Sequence, residues 1–497
     1  MNRVCFFVLM ALFTLVSGCQ STPPASKPGA AVSPIESCQQ IISLVDKTVV
    51  EAETTDTSVF RIKGFPYLRT NRFLADMPET QNSPPAIRQW LTHMHQLDLA
   101  AREKEILNLD NHQFLQLVNQ ARPSTDRRTF IEEVCACSDR LFSSSADKRD
   151  LAEDVQDAID IPSEYRTWRR MVGLYPLVAL PVGIASDNAF DDFRAWHATP
   201  PERLPQIGQP VVYRPAGLDE DNRIDPVLLY QTTPMDALGL PQLPPQDEQR
   251  LVEALAPTIV QDTLAGYDRI GQVRWSDGDL TIARGAPSGY YYLSHGRFKN
   301  RPSLQINYVF WYSHRSGDNA PWIEWGRLDG LTVRISLDHT GRPVMLDIMN
   351  NCGCYHFFVP DRAQILSVQS TFLGLDPLVP AWLPDQFPDR RLRLMVSSGW
   401  HQVQNIGEDN TVDEIVPYKL RPYHELEMLV DENGQHRSMF DSDGIAWGSD
   451  RVEPALFFSM GIPNVGSMRQ RGHHAIKMVG SAHFDDSQLF DETFEYR

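Results

Sequence analysis

Apolar residues change their spacing once along this chain, and the change divides it. From residue 36 to about 198 they recur at helical intervals. Ile35, Cys38, Ile42, Val45 and Val49 share one face of a first helix. Ser83-Pro84 supplies an N-cap and a proline at the first helical position of a second. Behind it Ile87, Trp90, Leu91, Met94, Leu97 and Ala101 form a stripe one helical face wide, with His93 and His95 pointing in different directions. A third helix is predicted over Thr125–Phe142, with Phe130, Val134, Cys137 and Leu141 on its apolar face. Leu151, Val155, Ala158 and Ile159 mark a fourth.

Beyond residue 256 the period becomes two. Leu304, Ile306, Tyr308 and Phe310 alternate with Gln305, Asn307 and Val309, and Leu331, Val333, Ile335 and Leu337 with Thr332, Arg334, Ser336 and Asp338. Asp338-His339-Thr340-Gly341 has turn chemistry, after which Val344, Leu346 and Ile348 resume the alternation, so a β-hairpin is predicted. Leu392–Val396, Leu426–Val430, His474–Val479 and the run through Phe457 also read as strands.

Two stretches fit neither period. Ten of the 36 prolines fall between Pro200 and Pro245, which predicts an irregular connection between domains. Earlier, Glu164-Tyr165-Arg166-Thr167-Trp168-Arg169-Arg170 is basic and aromatic, and the apolar run 173–185 follows it. Such a pair marks either a membrane-surface contact or a core element, and the core element is expected. Pro176 and Pro181 interrupt the run, which falls short of the about 20 apolar residues a span requires.

The expected fold class is α+β: a helical region over 36–198, a proline-rich connection over 199–245 and a mainly antiparallel β-rich domain over 246–497. The first residues are read as a processing signal over 1–18 and a flexible tether over 19–35, rich in Ser, Thr, Pro and Ala. Arg3 precedes the apolar run Val4–Val16, and Leu15-Val16-Ser17-Gly18-Cys19 closes it. This ending resembles a bacterial lipobox. The resemblance implies cleavage before Cys19, a lipid on Cys19, and attachment to the outer membrane, because Gln20 and not Asp follows the cysteine. The expected partner is thus a membrane, held through a lipid anchor and facing the periplasm. A formal charge of −18 repels phosphate backbones and argues against nucleic acid.

Seven cysteines are present. Removing Cys5 with the signal and lipidating Cys19 leaves Cys38, Cys135, Cys137, Cys352 and Cys354, an odd number in an oxidising compartment. Cys38 and Cys137 both lie on apolar helix faces, so they are expected to pair. Cys135 is turned about 160° from Cys137, since each helical residue advances about 100°.

The densest chemistry is Asn350-Asn351-Cys352-Gly353-Cys354-Tyr355-His356. If the hairpin strand continues unbroken, Cys352, Cys354 and His356 line one face in two-residue steps, unless a bulge at Gly353 spoils the parity. Three readings stay open. Cys352, Cys354 and His356, completed by His474 or His483, suit a zinc or copper site, which would make a metal-dependent envelope hydrolase. The second is nucleophilic. His339, Gly353 and Cys354 resemble the histidine and Gly-Cys of periplasmic L,D-transpeptidases, over fewer than twenty residues. Asn351-Cys352 stands where that family has Ser-His, and His356 where it has arginine. This resemblance implies Cys354 as nucleophile and His339 as base. Glu324 and Asp347 are further candidate bases. The third is structural: a lipid-anchored envelope lipoprotein with a structural or binding role, its β domain organised around the Cys/His cluster.

Overall fold

Ser33 opens the first helix with a capping box: its side chain accepts from the Glu36 amide, and Glu36 reaches back to the Ser33 amide at 2.9 Å. The computed structural model describes residues 33–77, 83–121, 126–145, 151–217, 224–370, 376–410 and 414–497. The signal segment 1–18, Cys19 and most of the tether 19–35 lie outside the described residues.

The helical region is built on α1 (Pro34–Glu51), α2 (Pro84–Asn108), α3 (Asn111–Ala121), α4 (Arg127–Ser145) and α5 (Leu151–Ala158). Val45, Met94, Phe130, Val134 and Val155 are fully buried where their faces meet. Cys38 on α1 and Cys137 on α4 are joined by a disulfide with Cα atoms 4.9 Å apart, while Cys135, Cys352 and Cys354 are free. A two-stranded hairpin, Phe60–Ile62 with Phe65–Thr70, lies against α2. It brings Arg69 into a buried pair with Glu105 at 2.8 Å, flanked by Asp98 and Arg102.

The β-rich part centres on one ten-stranded mixed sheet. Its strands are β1 (Gln209–Pro215), β2 (Thr258–Thr263), β3 (Ser288–Phe298), β4 (Arg301–Arg315), β5 (Gly326–Leu337), β6 (Pro343–Asn350), β7 (Phe357–Pro360), β8 (Leu392–Val396), β9 (Val403–Glu408) and β10 (Ile415–Pro422). They lie in the order β7-β6-β5-β4-β3-β10-β1-β2-β8-β9. The five strands from β3 to β7 form an antiparallel meander. β10 is parallel to both β1 and β3, and β8 is parallel to β2. The α+β class therefore holds, and the antiparallel meander carries most of the pairing.

Both faces of the meander are buried, although its sequence alternates. Ile306, Tyr308, Phe310, Val333 and Ile335 pack beneath α8 (Pro245–Leu255) and Phe193. On the reverse face the polar members satisfy one another: Arg334 holds Asp347 through Nε at 2.9 Å and Nη2 at 2.6 Å, both side chains fully buried.

Five stretches depart from expectation. Residues 199–245, expected as irregular connection, contribute β1 to the middle of the sheet. Pro210 and Pro215 stand at that strand's ends, where a missing donor costs little. Neither His474–Val479 nor the run through Phe457 is a strand: the first makes an isolated bridge, Ala475 to His483, and the second coils into helical turns. Of Leu426–Val430, Leu429–Val430 alone is strand. Finally, the run 173–185 is not core. It starts α7 (Tyr175–Ala198), whose single buried residue is Phe193, and it follows α6 (Thr167–Val172), which buries none. Leu174, in the left-handed conformation at φ 52°, turns the chain between them.

The two regions meet through charge. Lys104 on α2 donates to Glu427 at 2.7 Å, and Arg471 binds the same carboxylate at 2.8 Å.

Candidate functional site

β6 ends at Asn350, and the chain then turns instead of continuing as strand. The Gly353 amide donates to Asn350 O at 2.8 Å, and the Asn350 amide to Cys354 O at 3.0 Å. Gly353 has φ +89° and Tyr355 φ +55°, so the two-residue parity is lost. Glycine is required at 353, because a side chain there would strike the Ala475 carbonyl oxygen.

This turn gives the members of the expected cluster different surroundings. Cys352 is buried against the sheet beside Met468 and Trp311. The Cys354 amide donates to the Cys352 sulfur at 3.4 Å. The thiol–thiol hydrogen bond with Cys352, together with burial, pushes the Cys354 thiol well above the ordinary range. That environment stabilises a neutral thiol, whereas a thiolate nucleophile needs electropositive surroundings. His339 is exposed in the β5–β6 turn, and Cys354 follows the other end of the eight-residue β6. At about 3.4 Å per residue the strand places them at opposite ends, so the Cys354–His339 pair is not assembled.

The expected metal ligands are also dispersed. His356 Nε2 lies 2.9 Å from Asp347, behind the turn, and burial lowers its pKa although Asp347 opposes that. His483 accepts from the Glu164 amide at 3.1 Å and faces Asp486 at 3.3 Å. His474 is buried near Phe484, and burial holds its ring down at about 3. Among the described residues no three His, Cys, Asp or Glu side chains are grouped as a metal site requires.

The structure assembles a cavity of about 510 Å³ around the same turn. The turn residues Cys352–His356 form one wall. Val182, Ala185, Ala189 and Phe190 of α7 roof it, and Leu378, Ile462 and Val465, from irregular segments, complete the apolar lining. Its volume falls within the range of small-molecule sites, roughly 300–1,000 Å³, and its lining is mainly apolar.

Three carboxyl residues line this space, Glu324, Asp376 and Glu453. Glu453 is 6 % exposed, and its Oε2 has no hydrogen-bond partner. Burial, reinforced by the nearby Glu324 charge, raises its pKa to about 7. Glu324 begins a buried relay: it accepts from the Tyr355 hydroxyl, from Trp400 Nε1 at 3.0 Å, and from Arg315. Arg315 forks onto Asp329 at 2.8 and 3.0 Å. Asp329 meets His401 Nδ1 at 2.7 Å, and His401 Nε2 lies 3.3 Å from Asp268. The relay thus fixes the charge at one wall of the cavity through side chains drawn from β4, β5, the turns at Glu324 and Asp268 and the loop that carries Trp400 and His401.

Of these residues, Cys352, Cys354, His356 and Glu324 were singled out by sequence. Arg315, Asp329, His401, Asp268 and Glu453 were not, because they lie many residues apart with no motif spacing. The fold and site together define an α+β protein with a mainly apolar cavity into which the buried Glu453 carries a carboxyl oxygen without a hydrogen-bond partner. No family model, no curated protein and no solved structure matches the chain.

Proposed function

We propose that this chain is a lipid-anchored cell-envelope lipoprotein with a binding role. In this reading the β-rich part takes the apolar portion of an amphiphilic small molecule into the cavity beneath α7. The observation that carries it is the pairing of a mainly apolar cavity of about 510 Å³ with the unpartnered, buried Oε2 of Glu453. Such a site binds chiefly by apolar burial and uses few polar groups to set orientation. Glu453 suits a hydroxyl, amide or amine at the polar end of the ligand, since either protonation state accepts a hydrogen bond. Anchoring follows from the lipobox-like ending at Cys19, which sets the membrane partner and an outer-membrane location facing the periplasm.

The test uses the neutral probe N-phenyl-1-naphthylamine. It is expected to bind the purified protein with enhanced, blue-shifted emission. Ala185→Trp and Ala189→Trp, which fill the roof, weaken binding about tenfold or more, a change of about 1.4 kcal/mol. Their unfolding midpoints stay near that of the parent. Absence of probe binding, or unchanged binding by both filled variants, overturns the reading. In cells, Cys19→Ser is expected to make the protein extractable from the membrane fraction by a high-salt wash, which leaves the lipidated parent in place.

A further inference from the structure

The outer side of α6 and α7 shows what other helices of this chain bury. Leu177, Leu180 and Ile184 follow helical spacing on one face of α7 and are 73, 63 and 58 % exposed. Trp168, Met171 and Val172 on α6 are also exposed. Scattered apolar residues on a surface need no explanation, but a continuous apolar face along two consecutive helices marks an interaction site.

The charge of this segment differs from that of the chain. No acidic residue occurs from Tyr165 to Ser186, whereas Arg166, Arg169 and Arg170 all do, in a protein of formal charge −18. Arg170 is fixed by the Met460 carbonyl at 2.9 Å and Ser481 at 2.9 Å, and Arg169 lies over the Trp168 ring at 5.5 Å. The helix pair is thus tied to the body while its apolar face stays open.

We propose that the α6–α7 face docks onto an anionic phospholipid bilayer, lying within the headgroup boundary. An apolar helix face with tryptophan and flanking arginines suits that boundary, where apolar burial and attraction to anionic headgroups act together. Among the described residues no helix is long and apolar enough to cross a membrane. The acidic remainder of the protein is repelled by the same headgroups, which favours this face as the one that turns toward the lipid. The fourteen residues from Gln20 to Ser33 reach at most about 50 Å at 3.3–3.6 Å each, so a lipid on Cys19 keeps the body near the bilayer. The inner side of the same helix roofs the cavity through Val182, Ala185 and Ala189, so docking places the cavity directly behind the lipid surface.

This inference goes beyond the cavity reading and stands without it: failure of probe binding leaves the surface argument intact. The test is co-sedimentation of residues 19–497 carrying Cys19→Ser, so that no lipid is attached. Vesicles of phosphatidylethanolamine are used with and without phosphatidylglycerol. The parent is expected to pellet with the phosphatidylglycerol vesicles and to be released by salt. The combined Leu177→Glu, Leu180→Glu and Ile184→Glu variant is expected to lose about tenfold or more in partitioning, with an unchanged unfolding midpoint and unchanged naphthylamine binding. A second triple variant, to Gln at the same positions, separates lost apolar burial from added charge and is also expected to bind weakly. Failure of the parent to pellet, or equal pelleting of all forms, overturns the proposal. So does a lipid-free dimer that these substitutions dissociate, which would assign the face to a second copy of the chain.

Discussion

His401 lies flat on Tyr312, with ring centroids 3.9 Å apart and planes 3° from parallel, so the imidazole is clamped between Asp329 and Asp268. Burial disfavours its charge, but the neighbouring carboxylates of Asp268 and Asp329 outweigh burial and raise its pKa. A histidine whose pKa is raised on folding holds its proton more tightly when folded. Its contribution is therefore complete below the unfolded value of about 6.5 and is lost as pH rises through the folded value. His401→Gln is expected to destabilise by about 3–5 kcal/mol at pH 6, because it leaves two buried carboxylates facing one another. Urea unfolding of both proteins across pH should show that deficit shrinking on the alkaline side. A pH-independent deficit would mean that the imidazole is neutral in the folded protein.

Glu453 gives a second pH dependence at the cavity. Its pKa rises from the ordinary 4.5 to about 7, so the folded protein binds this proton more tightly than the unfolded chain. Stability from this group is complete below about pH 4.5 and is lost as pH climbs through 7, where a charge forms in an apolar space. The rise corresponds to about 3 kcal/mol at 1.36 kcal/mol per tenfold. Glu453→Gln keeps the shape and cannot ionise. It is expected to unfold later than the parent at pH 8 and to show no such advantage at pH 5. Calorimetric midpoints at the two pH values decide this.

How much of this was legible depended on whether the signal was local. α1, α2 and α4 could be read because each presents an apolar stripe several turns long, and the short α5 from the helical spacing of Leu151, Val155 and Ala158. α3 was not predicted: its buried residues, Phe114, Leu117 and Val118, span little more than one turn. The β4–β5–β6 alternation located the meander, but it also implied a polar outer face. That face is buried because Arg334 and Asp347 pair there, an interaction invisible to periodicity. At the site the hairpin parity was carried too far. Gly353 and Tyr355 adopt positive φ, which ends the strand and with it the two-residue alternation on which the Cys/His spacing relied. The α6–α7 segment shows the opposite failure, since apolar composition predicts burial equally well against protein and against lipid. The relay from Glu324 to Asp268 joins residues that only the folded sheet brings together.

The Cys38–Cys137 disulfide staples α1 to α4 across 99 residues. A bond closing so long a loop restricts the unfolded chain and is expected to stabilise by about 2–4 kcal/mol. Alkylation under denaturing, non-reducing conditions should label Cys135, Cys352 and Cys354 and spare Cys38 and Cys137. The Cys38→Ser, Cys137→Ser double variant should lower the free energy of unfolding in urea by that amount, with an earlier midpoint. A midpoint unchanged by the double substitution would show that helix packing alone sets the stability of this region.

Lys104 offers a test of how the helical and β-rich parts are joined. Its ammonium is held between Asp56 and Glu427, and Arg471 binds Glu427 from the other side. Burial opposes ionisation of Glu427, but Arg471 and Lys104 outweigh it and hold the carboxyl below the usual range. A carboxylate depressed on folding stabilises above its unfolded value and loses that contribution as pH falls through the folded one. Lys104→Met removes one cation from two buried acids, and breaking such a pair costs about 3–5 kcal/mol. Adding Glu427→Leu removes one of the stranded acids but also leaves Arg471 without its main partner. The double variant is therefore expected to recover part of the loss, not all of it. A double-mutant cycle in urea at pH 7 should give a coupling energy of about 0.5–3 kcal/mol between the two residues. Coupling near zero would mean that this charge cluster does not hold the two parts together.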